Sequence, residues 1–574
     1  MRRDRILALI FTGLFLFFLS NFSFAAPSPT AELSAEERKT SLEDQNAELR
    51  SRVEAKRKTP EAPPELNPPQ AKIDSLEKIT PKKINVTGVT LISVKEIEAI
   101  TKTLENQTIT IKELQKAADK ITDIYRQDGY ITSRAYLPPQ KIGAEGVVEI
   151  RVLEGMMGSI DVRGNRYFSS RLLKSKITLK KGAPFNYNIL RKDLIKVNEA
   201  PDRFCKTVLA PGKEPGTTDL TLEVKDNLPI HVGFDYDNFG SRYIHGNRYS
   251  ARFTDNNLLG FDDKLSYQYQ MAEAGTYYLN SLRYTAPVNN TLEAGAYATL
   301  SRVKLGKEYK DSDVHGRSKL YGLFANQSLI DTENFDMNLN LGFDYKDVNN
   351  YQENVLTSKD RLRIAKAGFD MDLSDMFGRT IFTYELDCGI PNIMGGLKAK
   401  DSNASTSGAG GKFVKNGINL LRLQRMPFSS TLLWKSQVQL SPYILPSTEQ
   451  FQLGGITNVR GYPSAEAVGD QGYTTTFEWS CPLYLLPKDI NVPFSKVKIY
   501  DALRIVTFYD WGRVHLKRPT DTQDKNKSLS SAGCGVRFNL PKSLSVRVEV
   551  AWPLGKMPSD GNGARTWAQV TKDF

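Results

Sequence analysis

From about Leu228 to Phe574 the chain is a succession of segments in which apolar and polar residues alternate, separated by turn residues. Leu265, Tyr267, Tyr269 and Met271 alternate with Lys264, Ser266, Gln268 and Gln270. Leu432, Trp434, Val438 and Leu440 alternate with Leu433, Lys435, Gln437 and Gln439. Leu544, Val546, Val548, Val550 and Trp552 alternate with Ser545, Arg547, Glu549 and Ala551. A period of two places each set on its own face of a β-strand. Strands with one apolar and one polar face and aromatics near their ends suit a barrel that meets lipid outside and water inside. A large soluble array of β-sandwiches is the alternative. It predicts shorter strands and no aromatic bias at their ends.

The N-terminus bears on that choice. Arg2, Arg3 and Arg5 precede a short apolar run, Ile6 to Leu19, and Ser23-Phe24-Ala25 supplies small residues for cleavage. Residues 1–25 therefore read as a secretory signal peptide, with an uncleaved anchor as the alternative. No later stretch is apolar enough to span a membrane as a helix. A closed barrel is the spanning structure left, because only helices and closed barrels satisfy their backbone inside lipid. At roughly 20 residues per strand with its connection, residues 228–574 make about 16 antiparallel strands. Phe574, after the alternation Ala568, Val570, Lys572, suits a closing strand.

Between leader and barrel the character changes twice. Residues 34–58 are charged and free of Pro and Gly, and Leu42, Leu49 and Val53 give only a thin apolar stripe, so one polar helix is expected. Residues 59–82 hold Pro60, Pro63, Pro64, Pro68 and Pro69 and read as an extended linker. Residues 83–155 then show the order β-α-α-β-β. Ile84 and Val86 begin the first strand, and Leu114, Ala118, Ile121 and Tyr125 mark a helix that Gly129 ends. Residues 156–227 repeat that order. Two small α+β domains therefore precede the barrel.

Two segments break the barrel's repetition. One is Gly454-Gly455-Ile456-Thr457-Asn458-Val459-Arg460-Gly461-Tyr462, a glycine-rich hairpin tip that carries an arginine. The other is Phe508-Tyr509-Asp510-Trp511-Gly512. Phasing puts Leu503, Ile505, Thr507, Tyr509 and Trp511 outward, and Arg504, Val506, Phe508 and Asp510 inward. Asp510 is then a lumen carboxylate open to a bidentate pair with Arg460, and Glu478 is a second inward candidate. An ordinary loop arginine and a solvated aspartate fit the same spacing. Cys388, Cys481 and Cys534 share phase with outward apolar residues and are expected to face lipid.

The tetrad Val459, Arg460, Gly461, Tyr462, followed by Phe508, Asp510 and Gly512, resembles a superfamily of outer-membrane protein insertases and transporters. Within it the chain most resembles the two-partner secretion transporters (TpsB, the haemolysin and adhesin secretion/activation proteins). Tyr125 to Gln140 resembles that family's first POTRA signature. Asn198, Pro201, Leu209, Pro211, Gly212, Gly216, Thr218 and Asp219 resemble its second, and Asp237 to Gly240 the start of its barrel. The resemblance implies a plug helix (34–58), a linker, two POTRA domains (83–155 and 156–227) and a 16-stranded barrel in the outer membrane of a Gram-negative-type bacterium, with the POTRA domains in the periplasm. It implies that Arg460 on an inserted loop contacts Asp510, and that an unfolded partner exoprotein is exported without a cofactor. Tyr125, Gly129, Tyr130, Ser133, Tyr136 and Leu137 are candidates for cargo contact. Outer-membrane lipid and a barrel-assembly machinery are the other expected partners.

Composition trims the competing classes. The excess of 77 Lys+Arg over 65 Asp+Glu, a net charge of +12, is spread without a dense basic block, so nucleic acid is not an expected partner. The four histidines, His231, His245, His315 and His515, are isolated, with no GxSxG motif or paired carboxylates near them, so no metal site and no catalytic residue is expected. A general outer-membrane insertase, a passive porin and an acyltransferase activating the cargo are the remaining alternatives. Cargo identity is not legible.

Overall fold

The computed structural model describes residues 78–140, 145–332, 334–493, 495–521, 523–540 and 543–574. The expected signal peptide (1–25), the expected plug helix (34–58) and residues 59–77 of the expected linker lie outside them. The chain divides into two compact units, one of Ile230–Leu258 with Asp263–Phe574, the other ending at Pro229 and taking in Leu259–Asp262.

The N-terminal unit contains the repeated motif. In its first half β1 (Lys78–Ile79), β2 (Lys83–Thr87), α1 (Val94–Thr101), β3 (Ile109–Thr110), α2 (Ile111–Gln127), β4 (Arg134–Tyr136) and β5 (Val147–Leu153) follow in order. β5 sits between β2, to which it is parallel, and β4, to which it is antiparallel. Lys78 and Ile79, expected in the linker, instead pair with β3, and Ile79 packs against the domain's core. α2 starts where Thr110 and Glu113 cap each other's backbone N–H, and it buries Leu114, Ala118, Ile121 and Tyr125 on one face. In the second half β6 (Met156–Arg163), α3 (Ser170–Ser175), α4 (Tyr187–Asn198), β7 (Arg203–Pro211) and β8 (Thr217–Asp226) repeat the plan, with β8 between β6 and β7.

Among the described residues, sixteen antiparallel strands close into a barrel. They are β9 (Ile230–Asp237), β10 (Arg248–Asp255), β11 (Lys264–Ala272), β12 (Tyr277–Pro287), β13 (Leu292–Lys304), β14 (His315–Asp331), β15 (Phe335–Gln352), β16 (Val355–Asp375), β17 (Gly378–Gly389), β18 (Phe413–Met426) and β19 (Ser430–Leu440), then, past the hairpin β20 (Phe451–Leu453) and β21 (Ala467–Gly469), β22 (Gln471–Pro482), β23 (Leu503–His515), β24 (Asn526–Leu540), β25 (Leu544–Pro553) and β26 (Arg565–Asp573). β26 pairs with β9 and completes the ring, and the Phe574 N–H donates to Val232 O at 2.9 Å. Closure leaves no open edge for lipid to meet.

The outward phase shows Tyr267, Phe477, Trp479, Tyr509, Val548 and Trp552 exposed, while Glu478, Asp510 and Glu549 on the inward phase are buried. Cys534 is exposed and Cys388 half-buried. Cys481 departs from expectation. It is in outward phase but only 4% exposed. It is the penultimate residue of β22, and beyond the strand the Tyr484 hydroxyl donates to Phe428 O at 2.8 Å.

Candidate functional site

Residues 441–470, between β19 and β22, do not leave the barrel as a free loop. β20 and β21 pair as a hairpin, and nearly every residue from Leu445 to Asp470 is buried. Gly454 and Gly455, at φ +103° and +91°, take the left-handed backbone that bends the hairpin into its tip. A Cβ on Gly461 would lie 2.7 Å from Ser531 Cβ and 2.8 Å from the Pro553 nitrogen, so the tip meets the wall with no room for a side chain there. Gly512 serves the same purpose from the wall side, since a Cβ there would lie 2.7 Å from Leu453 Cδ2 on the loop. Val459 and Tyr462 pack with Phe451, Leu453, Ala467, Val514 and Leu529, and the Tyr462 hydroxyl donates to Lys556 O at 2.8 Å.

Arg460 is 3% exposed. Its Nε and Nη2 donate to the two carboxylate oxygens of Asp510 at 2.9 and 2.8 Å, a bidentate pair. The Arg460 backbone N–H donates to the same Asp510 at 3.1 Å. Nη1 donates to Glu478 at 2.9 Å and to Glu549 at 3.0 Å. The guanidinium lies 3.3 Å from the centroid of the Phe508 ring, and Trp567 Nε1 donates to Arg460 O at 2.8 Å. Thr476 and Ser531, which flank Asp510 on the neighbouring strands, donate to it at 3.0 and 3.2 Å.

The two glutamates have further cations. Arg537 Nη1 and Nη2 donate to Glu478 at 2.6 and 2.8 Å. Arg537 Nε donates to Glu549 at 2.9 Å, and Arg547 Nε and Nη2 donate to Glu549 at 2.6 and 2.8 Å. Three guanidinium groups thus face three carboxylates. A neutral, hydrogen-bonded set is the condition under which so many charges tolerate burial. Sequence reasoning singled out Arg460, Asp510 and Glu478. It missed Glu549, Arg537 and Arg547, although the alternation in β25 had already put Arg547 and Glu549 on the polar face.

The POTRA signature residues take other places. Tyr125 is buried and donates to Glu154 Oε1 at 2.7 Å. Ser133 is buried and its Oγ accepts from the Gly155 N–H at 3.0 Å. Neither has a side chain to offer a passing polypeptide, which corrects their reading as cargo contacts. Gly129, at φ +92°, follows α2, and its carbonyl accepts from the Tyr187 N–H of the second domain at 2.8 Å. Gly155 O accepts from the Phe185 N–H at 2.9 Å. The signature therefore builds the first domain's core and its junction with the second. Of its members, Tyr136 is exposed, while Tyr130 and Leu137 pack partly against the core.

A closed sixteen-stranded barrel with an apolar outer face and a buried, charge-locked inner loop, preceded by tandem α+β domains, defines a membrane β-barrel protein. The haemolysin secretion/activation protein family (ShlB/FhaC/HecB) matches residues 216–538, and a POTRA domain of ShlB type matches residues 79–155. The chain belongs to the haemolysin secretion/activation protein family. It is 24% identical over 488 residues to the heme/hemopexin transporter protein HuxB of Haemophilus influenzae, covering 83% of this chain and 84% of that one. It is 24% identical over 541 residues to the outer membrane transporter CdiB of Escherichia coli, covering 90% and 86%. The solved structure of CdiB from Escherichia coli shares the fold, with a TM-score of 0.73 at 21% identity over 96% of this chain and 100% of that one. The protein is thus a two-partner secretion transporter of the outer membrane, with its POTRA domains in the periplasm.

Proposed function

We propose that the chain exports one large exoprotein, which it takes up unfolded in the periplasm. The observation that carries this reading is the in-folded loop. A passive pore has no use for a hairpin fastened through its lumen by three carboxylates, whereas a pore opened only by its cargo does. In this reading Arg460 and the Asp510–Glu478–Glu549 set form the lock, with Val459, Gly461, Tyr462, Phe508 and Gly512 shaping its seat. The domain limits are 78–155, 156–227 and 228–574. Residues 34–58 plug the resting pore on a tether that ends before Lys78.

Recognition follows from strand chemistry. β2 and β4 are the outer strands of one POTRA sheet, and β6 and β7 of the other. An outer strand presents backbone N–H and C=O groups that an extended chain can pair with. Folding of the cargo outside the cell supplies direction, so no cofactor and no catalytic residue is assigned. The barrel-assembly machinery inserts the transporter itself.

The test is a deletion strain. Quantitative mass spectrometry of its culture supernatant should show one or two large extracellular proteins lost, with other outer-membrane barrels unchanged. A general fall in those barrels would instead assign the chain to barrel insertion.

A further inference from the structure

The same loop is fastened a second time, eleven residues before Arg460, by a group outside both motifs. Glu449 stands on the limb that descends from β19 and is 4% exposed. Its Oε1 accepts from Lys346 Nζ on β15 at 3.1 Å, and its Oε2 accepts from Lys415 Nζ on β18 at 2.6 Å. Lys415 is also 2.9 Å from Asp387 on β17. The Glu449 backbone is fixed too, since Gln439 Nε2 donates to its carbonyl at 3.0 Å. Next to it, Thr448 and Ser447 reach residues of β16 and of the 390–412 loop. Thr448 Oγ1 donates to Asp360 Oδ2 at 3.4 Å, Ser447 Oγ lies 2.7 Å from Ser405 Oγ, and the Ser405 N–H donates to Asp360 at 2.9 Å.

The wall groups of this cluster come from β15 to β18, whereas those of the Arg460 cluster come from β22 to β25. The hairpin is therefore tied to two separate arcs of the ring, by Arg460, with Glu466 on Lys527 of β24, on one and by Glu449 on the other. We propose that Glu449, with Lys346 and Lys415, is a second ionic catch, and that the hairpin leaves the lumen only when both catches release. Glu449 is a positioning residue. It acts through the loop and needs no contact with cargo. The inference takes its meaning from the export reading, but the seating of the loop can be measured without cargo.

The chain carries its own reporter. Arg460 is the only Lys or Arg between Ser441 and Asp470, so trypsin can cut this hairpin only after Arg460, and only once the tip has left its seat. Intact cells expressing the full chain are treated with trypsin, and the new N-terminus at Gly461 is quantified by mass spectrometry. Barrel integrity is followed by heat-dependent mobility on gels. The wild type is expected to resist. Glu449→Gln should raise the cleavage rate at least about tenfold, the effect of losing roughly 1.4 kcal/mol of closure. Glu449→Asp, which keeps the charge, should restore most of the resistance. Glu449→Gln combined with Asp510→Asn should exceed Asp510→Asn alone by a similar factor, because independent catches multiply. Should Glu449→Gln fail to insert, the double substitution Lys346→Gln with Lys415→Gln removes the catch from the wall side and carries the same expectation. Wild-type resistance in the first folded variant, or a double variant no faster than Asp510→Asn, overturns the proposal. Supernatant proteins unchanged in the deletion strain would defeat the export reading and leave the cleavage result standing.

Discussion

Two buried carboxylates in this molecule are held in opposite ways. Asp510 in the lumen faces a guanidinium that belongs to a loop, together with hydrogen bonds from Thr476 and Ser531. Glu154 in the first POTRA domain is held by neutral donors near in space, the Thr90 and Leu91 N–H groups at 2.7 and 3.0 Å, the Tyr125 hydroxyl, and the Thr90 hydroxyl. Those donors are part of the domain's own architecture. The lumen carboxylate thus has its partner on a separate loop, while the POTRA carboxylate has partners that cannot leave without unfolding. A buried carboxylate suits a latch when its partner sits on a separate loop, and a rivet when its donors belong to the core.

The largest effect should come from Arg460→Ala. It leaves three acids against two arginines in a buried set, a loss of about 3–5 kcal/mol in loop seating. Secretion should be abolished or severely reduced while the barrel still inserts, checked by immunoblot of the cargo and heat-dependent mobility. Normal secretion by this variant would break the latch half of the comparison.

Glu154→Ala should act in the other sense. It strips the acceptor from four core donors and should cost the POTRA domain roughly 1–3 kcal/mol. The readout is faster hydrogen exchange across α2 and β5 in the full chain, with the hairpin still resistant to trypsin. Faster cleavage of the hairpin would mean that rivet and latch are coupled.

Acid should separate the two smaller effects. Burial pushes the Glu154 carboxyl up, but the hydrogen bonds from Thr90, Tyr125 and Leu91 outweigh it and hold it below the ordinary carboxylate range. Its contribution is therefore fully present above the unfolded value of about 4.3, and it is lost as pH falls through the lower folded value. The thermal midpoint of the POTRA transition should drop more steeply between neutral and strongly acid pH in the wild type than in Glu154→Gln. Parallel curves would show that Glu154 does not titrate as a rivet. The smallest effect is expected from Tyr125→Phe, which removes one of the donors and should cost about 1 kcal/mol, again read by hydrogen exchange.

The comparison also shows what a sequence can disclose. Strand alternation made the barrel legible because each strand has one lipid face and one water face, and a period of two survives any tilt. The tandem POTRA plan was legible because the 3/4 spacing in Ile111–Gln127 and the glycine after it have local causes. Arg460 and Asp510 stood out because glycine and arginine interrupt a monotonous pattern. Glu549, Arg537 and Arg547 did not stand out. Phase gives the face of a strand, whereas meeting across β22 to β25 depends on stagger between strands, which no single segment encodes. Glu449 was hidden for a stronger reason, since the limb that carries it has no periodicity. Tyr125 and Ser133 were found but misread, because a signature marks residues that a fold requires as readily as residues that a ligand touches.

The balance of charge on the hairpin has a consequence for the opened pore. The hairpin brings one cation, Arg460, to the β22–β25 arc and one anion, Glu449, to the β15–β18 arc. Its remaining charged residues, Glu466 and Asp470, are acidic, and Glu466 pairs with Lys527 of β24. Withdrawal takes one positive charge from beside Glu478, Asp510 and Glu549, and one negative charge from beside Lys346 and Lys415. At these two places the field inside the passage changes in opposite senses. The field acts on the peptide dipoles and side-chain charges of whatever extended chain threads it, and salt weakens it over a Debye length of about 8 Å at physiological ionic strength.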